Sequence, residues 1–431
     1  MALNDASSHV HSDPFDSVVE EKLRDKTVES SSASQTAVTI PEAMSTTPLR
    51  HPRLKFLADQ LYKYWLLFGL GFVIGLAYAF PSIGKKNGPI HAEWSIRWGA
   101  VGVIFLISGL SLRTRQLARE IVRVRLHLLV QFISLVIIPF IVFGLVTLFK
   151  TVKLPVDNML LSGIIIAAST PTTVSSNVVM TRNASGNEAA ALMNAALGNV
   201  LGIFVSPALV YLFLRDDNVA GTTGGKSSGA QLDYVSVLEN LGATVLAPLV
   251  VGQIIQSIWP DRVARWRGRL RLNDVNTACL LLLVWSIFSD TFASDSFAMV
   301  HATDLIAVLI INPFLYVSFS LLCLFLARLP LPYAPAWITQ WRFSREDTVA
   351  VMYCGATKTV AMGVPLINVL YSGGSPGVIG ILSTPLLMYH VEQLISGSIE
   401  VPILKMWVLK GSEKDKMKEE GEAQVGADER V

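Results

Sequence analysis

The sequence predicts an all-α polytopic membrane protein, and three observations carry that reading. Apolar residues make up 52% of the chain and charged residues only 16%, against roughly a quarter charged in soluble domains. About ten apolar segments approach the roughly 20 residues that a bilayer core demands. Two of them, the fourth and the ninth, are interrupted by polar clusters that an ordinary membrane helix does not carry.

The segments run about 62–80, 96–112, 126–149, 159–180 and 189–214, then about 234–258, 275–292, 303–326, 347–371 and 377–403. Residues 1–55 are rich in Ser, Thr, Asp and Glu without helical period and read as a disordered tail. No signal peptide precedes the first segment, which would then serve as its own insertion signal. The Gly/Ser/Thr-rich stretch 219–231 reads as a flexible linker. It separates residues 56–218 from residues 232–405, with five segments on each side. Residues 406–431 carry mixed charge and read as a second disordered tail.

Basic residues cluster in loops that fall on one side of the membrane, most densely from Arg113 to Arg125 and from Arg262 to Arg271. The excess of positive charge on cytoplasmic loops then places both termini in the cytoplasm. An odd number of spans per half makes the second half enter the membrane from the opposite face. The two halves are therefore expected to be five-helix repeats of inverted topology. On that orientation the sequon Asn183-Ala184-Ser185 faces the cytoplasm and is read as structural.

Several function classes are excluded. A net charge of +2 without basic runs interleaved with aromatics gives no ground for nucleic acid as a partner. No phosphate-binding loop suggests ATP hydrolysis, no arginine ladder suggests a voltage sensor, and no metalloprotease pair suggests an enzyme. Cys279, Cys323 and Cys354 lie in apolar segments as small buried hydrophobes, with no metal-ligand spacing. No catalytic residue, metal site or cofactor is expected.

The chemistry concentrates at the interruptions. The fourth segment carries Thr170, Thr172, Thr173, Ser175, Ser176 and Asn177 around Pro171; the ninth carries Thr357, Lys358 and Thr359. Pro171 removes a backbone donor and frees carbonyls, while the hydroxyls and the amide add neutral oxygen ligands. Paired interruptions in matching positions of two halves point to a transporter's binding site. Lys358 is an ionisable amine in the middle of a long apolar run and needs a partner there; His390 and Glu392 are the candidates considered, and the alternatives are a substrate anion or an amine held neutral by desolvation. Asn194 on the fifth segment is a further candidate ligand facing the broken segment.

The run Pro171-Thr-Thr-Val-Ser-Ser176-Asn177-Val178, followed by Gly186-Asn187 and Val205-Ser206-Pro207-Ala208, resembles the bile acid:sodium symporter family. The likeness is to its divergent cotransporter 7-like branch, whose fungal members restrain calcium uptake, and it spans about residues 55–405. It implies ten helices in two inverted repeats, a panel and a core, with the fourth and ninth helices unwound and crossing. It also implies that Ser176 and Asn177 stand at sodium-ligating positions. The family's hydroxyl ligands on the fifth helix fall near Ala191 and Ala195, and its acidic ligand on the ninth falls in Ala356-Thr357-Lys358, which holds no carboxylate. The ammonium in place of the cation argues for sodium-independent transport.

The expectation is a secondary carrier of a small, anionic solute, acting in calcium homeostasis as a negative regulator of calcium uptake. Its setting is the plasma membrane, with a Golgi membrane as the alternative. The second reading is a non-transporting regulator whose partner is a calcium channel.

Overall fold

Long apolar stretches closed by polar turns give a bundle of helices, and a computed structural model describes residues 65–111, 122–214, 234–295, 298, 300–329, 342–371 and 377–428. The linker at 219–231, the N-terminal tail and the arginines from Arg113 to Arg119 lie outside the described residues. In chain order the helices are α1 (Trp65–Ala79), α2 (Ala92–Ser111) and α3 (Val124–Thr151). The fourth segment is split into α4 (Asn158–Ser169) and α5 (Ser175–Asn183), and α6 covers Glu188–Leu214. Then come α7, continuous from Tyr234–Leu241 through Ala247–Ile258, the short basic α8 (Pro260–Arg269), α9 (Leu272–Ala293) and α10 (Ala302–Arg328). The ninth segment is split into α11 (Arg345–Ala356) and α12 (Val360–Leu370), and α13 spans Val378–Asp428.

Among the described residues, eight helices are long and apolar enough to cross a membrane, and Phe68–Ala79 and Asn158–Ser169 are shorter apolar helices. Their exposed faces show which solvent they meet. On α10, Ile306, Ile310, Phe314, Val317, Leu321 and Phe325 are exposed and recur every three or four residues, so they form one continuous apolar stripe. Leu128, Phe132, Val136 and Phe140 repeat the pattern on α3, as do Ile395, Ile399, Ile403 and Met406 on α13. Water would penalise such stripes, whereas lipid accepts them. The opposite face of α10, including Val308, Asn312, Phe319 and Cys323, is buried. The chain is a multi-pass membrane protein.

The broken segments occupy the interior. In the span from Arg345 to Leu370, 94% of the most apolar window is buried, and α4 is buried from Leu160 to Ser169. Their first halves are nucleated by side-chain caps that satisfy amides left without helical partners. The Asp157 carboxylate accepts from the Met159 amide at 2.8 Å and the Leu160 amide at 3.3 Å. The Ser344 hydroxyl accepts from the Asp347 amide at 3.1 Å. Asp347, 4% exposed, then accepts both guanidinium nitrogens of Arg123 at the start of α3. It also accepts the Asn187 amide group at 2.8 Å, tying the α5–α6 turn to α11.

The C-terminal stretch departs from expectation. Residues 406–428, expected as a disordered tail, continue α13 without a break. The Trp407 ring lies under two guanidinium groups, Arg328 at 5.5 Å and Arg345 at 5.1 Å, and its carbonyl accepts from Arg345 at 2.5 Å. Beyond that anchor the helix continues through a mixed-charge sequence rich in Lys and Glu, residues of good helix propensity.

Two consequences are measurable. Arg123→Ala leaves the Asp347 carboxylate buried without its cation and is expected to cost about 2–4 kcal/mol of stability. Asp347→Asn keeps a neutral acceptor and should cost about 1–2 kcal/mol. Thermal melting in detergent ranks them, and equal melting temperatures for both variants and wild type would show the pair to be inert. Gly109 and Gly252 let α2 and α7 touch backbone to backbone: a Cβ on Gly109 would meet the Leu249 carbonyl, and one on Gly252 the Leu106 carbonyl. Gly252→Val is therefore expected to lower the folded yield by size exclusion severalfold, since neither backbone can give way.

Candidate functional site

Thr170 precedes a proline, and the ring of Pro171 excludes it from helical conformation; it sits at φ −78°, ψ 153°. Thr357 reaches nearly the same angles, φ −82°, ψ 154°. Both chains therefore leave the helix in the same extended sense, and they meet. The Thr359 amide donates to the Pro171 carbonyl at 2.9 Å, a backbone hydrogen bond from one break to the other. Close approach on the far side is allowed by Gly202 of α6, where a Cβ would stand 2.7 Å from the Pro171 ring.

Three neutral side chains close a ring across the junction. The Asn177 amide group donates to the Thr172 hydroxyl at 2.6 Å. The Thr172 and Thr357 hydroxyls lie 2.7 Å apart, and the Thr357 hydroxyl donates to the Asn177 carbonyl oxygen at 2.9 Å. The ring is complete when Thr172 donates to Thr357 and the one Thr357 proton goes to Asn177; the Tyr353 carbonyl, 2.8 Å from the same hydroxyl, is the competing acceptor. All three residues are buried.

Lys358 is 1% exposed. Its ammonium donates to the Thr170 carbonyl at 3.1 Å, to the Ser134 carbonyl at 2.7 Å and, more loosely, to the Ser134 hydroxyl at 3.4 Å. The Ser134 carbonyl is available for a reason visible in α3. Residues Ile133–Ile137 form a π-helical turn in which the Ile138 amide donates to the Ile133 carbonyl. The next donor in that register is Pro139, which has no N–H. Ser134 is thus left with an open acceptor, and the ammonium fills it.

The backbone of Lys358 is held by Gln393 of α13, which accepts from its amide at 2.8 Å and donates to its carbonyl at 2.8 Å. Gln393 also pairs with His390 Nδ1 at 2.9 Å. His390 thus lies beside the Lys358 backbone and does not pair with its ammonium. Glu392 does not pair with Lys358: it is buried, and neither oxygen has a hydrogen-bond partner among the described residues. One residue along a helix turns the side chain by about 100°, so Glu392 and Gln393 cannot serve the same face.

The other expected residues divide. Thr170, Thr172, Thr173, Asn177, Thr357, Lys358 and Thr359 are all buried at the junction. Thr359 acts through its amide, and Ser176 is half-buried with its hydroxyl donating to Thr173 at 3.2 Å. Asn194 does not face the break. Its side chain meets His127 of α3 at 3.0 Å and donates to the Ala190 carbonyl. Asn199 takes that place, donating to the Thr172 carbonyl at 3.2 Å; five residues further on, it lies about 140° around the helix. Ser134, Gln393 and Asn199 were not among the candidate site residues. A proline five residues after a serine in an apolar segment was the available signal for the first.

The larger cavity lies away from the junction. About 190 Å³ in volume, it is lined by Lys86, Glu93, Thr244, Ser286, Asp290 and the α12 residue Asn368 among others. A smaller void of about 10 Å³ touches Lys358, Asn312 and Tyr389, room for about one water molecule.

Residues 64–406 match the SBF-like CPA transporter family. Among curated proteins, the solute carrier RCH1 of Candida albicans is 36% identical over 398 residues, covering 87% of this chain and 94% of that protein. The sodium/bile acid cotransporter 7 of Danio rerio is 34% identical over 352 residues, covering 82% and 96%. The solute carrier RCH1 of Saccharomyces cerevisiae is 33% identical over 387 residues, covering 85% and 88%. A polytopic helical chain with two touching helix breaks, matched over nearly its whole helical part, belongs to the SBF-like CPA transporter family, a family of transporters and not of enzymes.

Proposed function

We propose that this chain is a secondary solute carrier with ten spans in two five-helix repeats of inverted topology, a panel and a core, working without sodium. The repeats are supported by position: the breaks fall in the fourth and ninth helices, each the fourth of five. The observation that carries the functional reading is the Lys358 ammonium, ligated by the Ser134 and Thr170 carbonyls where two helix breaks meet. A fixed cation among carbonyls does the work of a bound sodium ion, neutralising exposed peptide dipoles with no ion to load.

The cargo is a small solute. An anionic cargo was expected from a lysine free to bind it, but the contacts of Lys358 are protein oxygens, so the ammonium does not set the cargo's charge. From the family resemblance, the carrier acts in calcium homeostasis as a negative regulator of calcium uptake. The same resemblance supports a plasma-membrane setting, and the loop charges support cytoplasmic termini.

Two measurements test this. In proteoliposomes, a panel of radiolabelled solutes including taurocholate is expected to reveal saturable uptake that is equal with sodium and with choline outside, and that Asn177→Ala reduces at least tenfold. Uptake absent for every solute would favour the non-transporting regulator of a calcium channel. Lys358→Ala vacates the ammonium's place, so sodium should raise the melting temperature of that variant and leave wild type unchanged; saturating a site hundredfold contributes about 2.7 kcal/mol. Stabilisation of wild type by sodium would end the sodium-independent reading.

A further inference from the structure

Glu392 is the buried charge-bearing group that the reading above leaves unused. It sits on α13 between His390 and Gln393, in a helix whose neighbouring turns contact α4 and α10. It is 7% exposed, and both carboxyl oxygens lack a hydrogen-bond partner among the described residues. Asn312 of α10 approaches it, but the Asn312 amide group donates to the Pro385 carbonyl at 3.1 Å. Asn312 also lines the one-water void that touches the Lys358 side chain and Tyr389. Asn312 thus adjoins both the carboxyl group and a small void that Lys358 also lines.

The titratable groups around it are occupied elsewhere. The Tyr389 hydroxyl donates to the Ala356 carbonyl at 2.8 Å and His390 pairs with Gln393. From α10, the Tyr316 hydroxyl goes to Glu400 at 3.1 Å. From α11, the Tyr353 hydroxyl goes to the Gly397 carbonyl at 3.1 Å, and the Lys358 ammonium, in the break that follows, is held by Ser134 and Thr170. The α4 and α12 segments contribute no titratable side chain. From α5, Arg182 pairs with Glu188 at 3.6 Å; from α9, Asp274 pairs with Arg271 and Asp290 accepts from the Lys86 amide. None of these charged groups pairs with the carboxyl group, and Asn312 is the polar side chain that reaches it.

The geometry points to Glu392 as a proton-binding site, whose carboxylate takes up one H+ in one state of the carrier and releases it in another. An unpaired carboxylate at membrane depth is costly, and intramembrane acidic groups without partners mark proton pathways. The step balances simply: a carboxylate and a proton give a carboxylic acid. The inference rests on the carrier reading and names the ion that replaces sodium in it.

The test reads proton occupancy with no cargo present. The full chain, reconstituted in phosphatidylcholine vesicles, is cycled between acidic and alkaline buffer while infrared difference spectra are recorded. Wild type is expected to show a reversible carbonyl stretch of a protonated carboxyl group. That band should vanish in Glu392→Gln and shift in Asn312→Ala. Should the Gln variant fail to fold, Glu392→Asp serves instead, with the band displaced in frequency. A band unchanged in every folded variant, or no band in wild type, overturns the proton site. If the band behaves as expected while no solute is taken up, the carrier reading fails and the proton site stands.

Discussion

The Lys358 ammonium donates to two backbone carbonyls, and each is free because a proline disturbs the helix that owns it. Pro139 supplies no N–H to the register that would have closed over Ser134. Pro171 holds Thr170 in extended conformation and ends α4 one residue earlier. A backbone acceptor without a donor is costly wherever water is excluded. The lysine satisfies two helical elements at once, α3 and the end of α4. On the proposed reading, removing the charge would leave the same carbonyls as a cation site.

Around that charge the junction is built from groups that ask for nothing further. Asn177, Thr172 and Thr357 satisfy one another, the Pro171 carbonyl takes the Thr359 amide, and the Thr172 carbonyl takes Asn199. Such a network is neutral and can open without stranding a charge, which suits an element that must rearrange. Small residues make the approach possible. Gly202 faces the Pro171 ring, Gly363 of α12 faces Thr170 and Leu386, and Gly355 faces Cys323. Close packing of small residues is the usual means of association where there is no hydrophobic drive between helices.

Much of this was legible in the sequence because membrane insertion uses a strong one-dimensional code. Segment positions follow from hydropathy alone, and a proline set among six hydroxyl or amide residues announced the break at 170–174. What was missed depends on angle around an axis. Asn194 and Asn199 are equally polar in the same helix, and only the rotation between them decides that Asn199 reaches Thr172. Gln393 rather than Glu392 serves Lys358 for the same reason. The helical continuation past residue 405 was missed because its anchor is tertiary: Trp407 is held by Arg328 and Arg345, more than 60 residues away in sequence.

Keeping Glu392 away from Lys358 has a consequence that pairing them would have removed. An ion pair in a medium of low dielectric is a deep well, and breaking it strands two charges. A carrier that had to separate such a pair in every cycle would meet a high barrier. Carbonyl ligation is weaker and can be exchanged for other neutral oxygens, while a carboxyl group one face away on α13 stays out of the lysine's field of direct contact. The arrangement therefore leaves the ammonium fixed and the acid free to change state. Two opposite charges held in one membrane core without touching is what a machine needs if one of them is structural and the other is to move a proton.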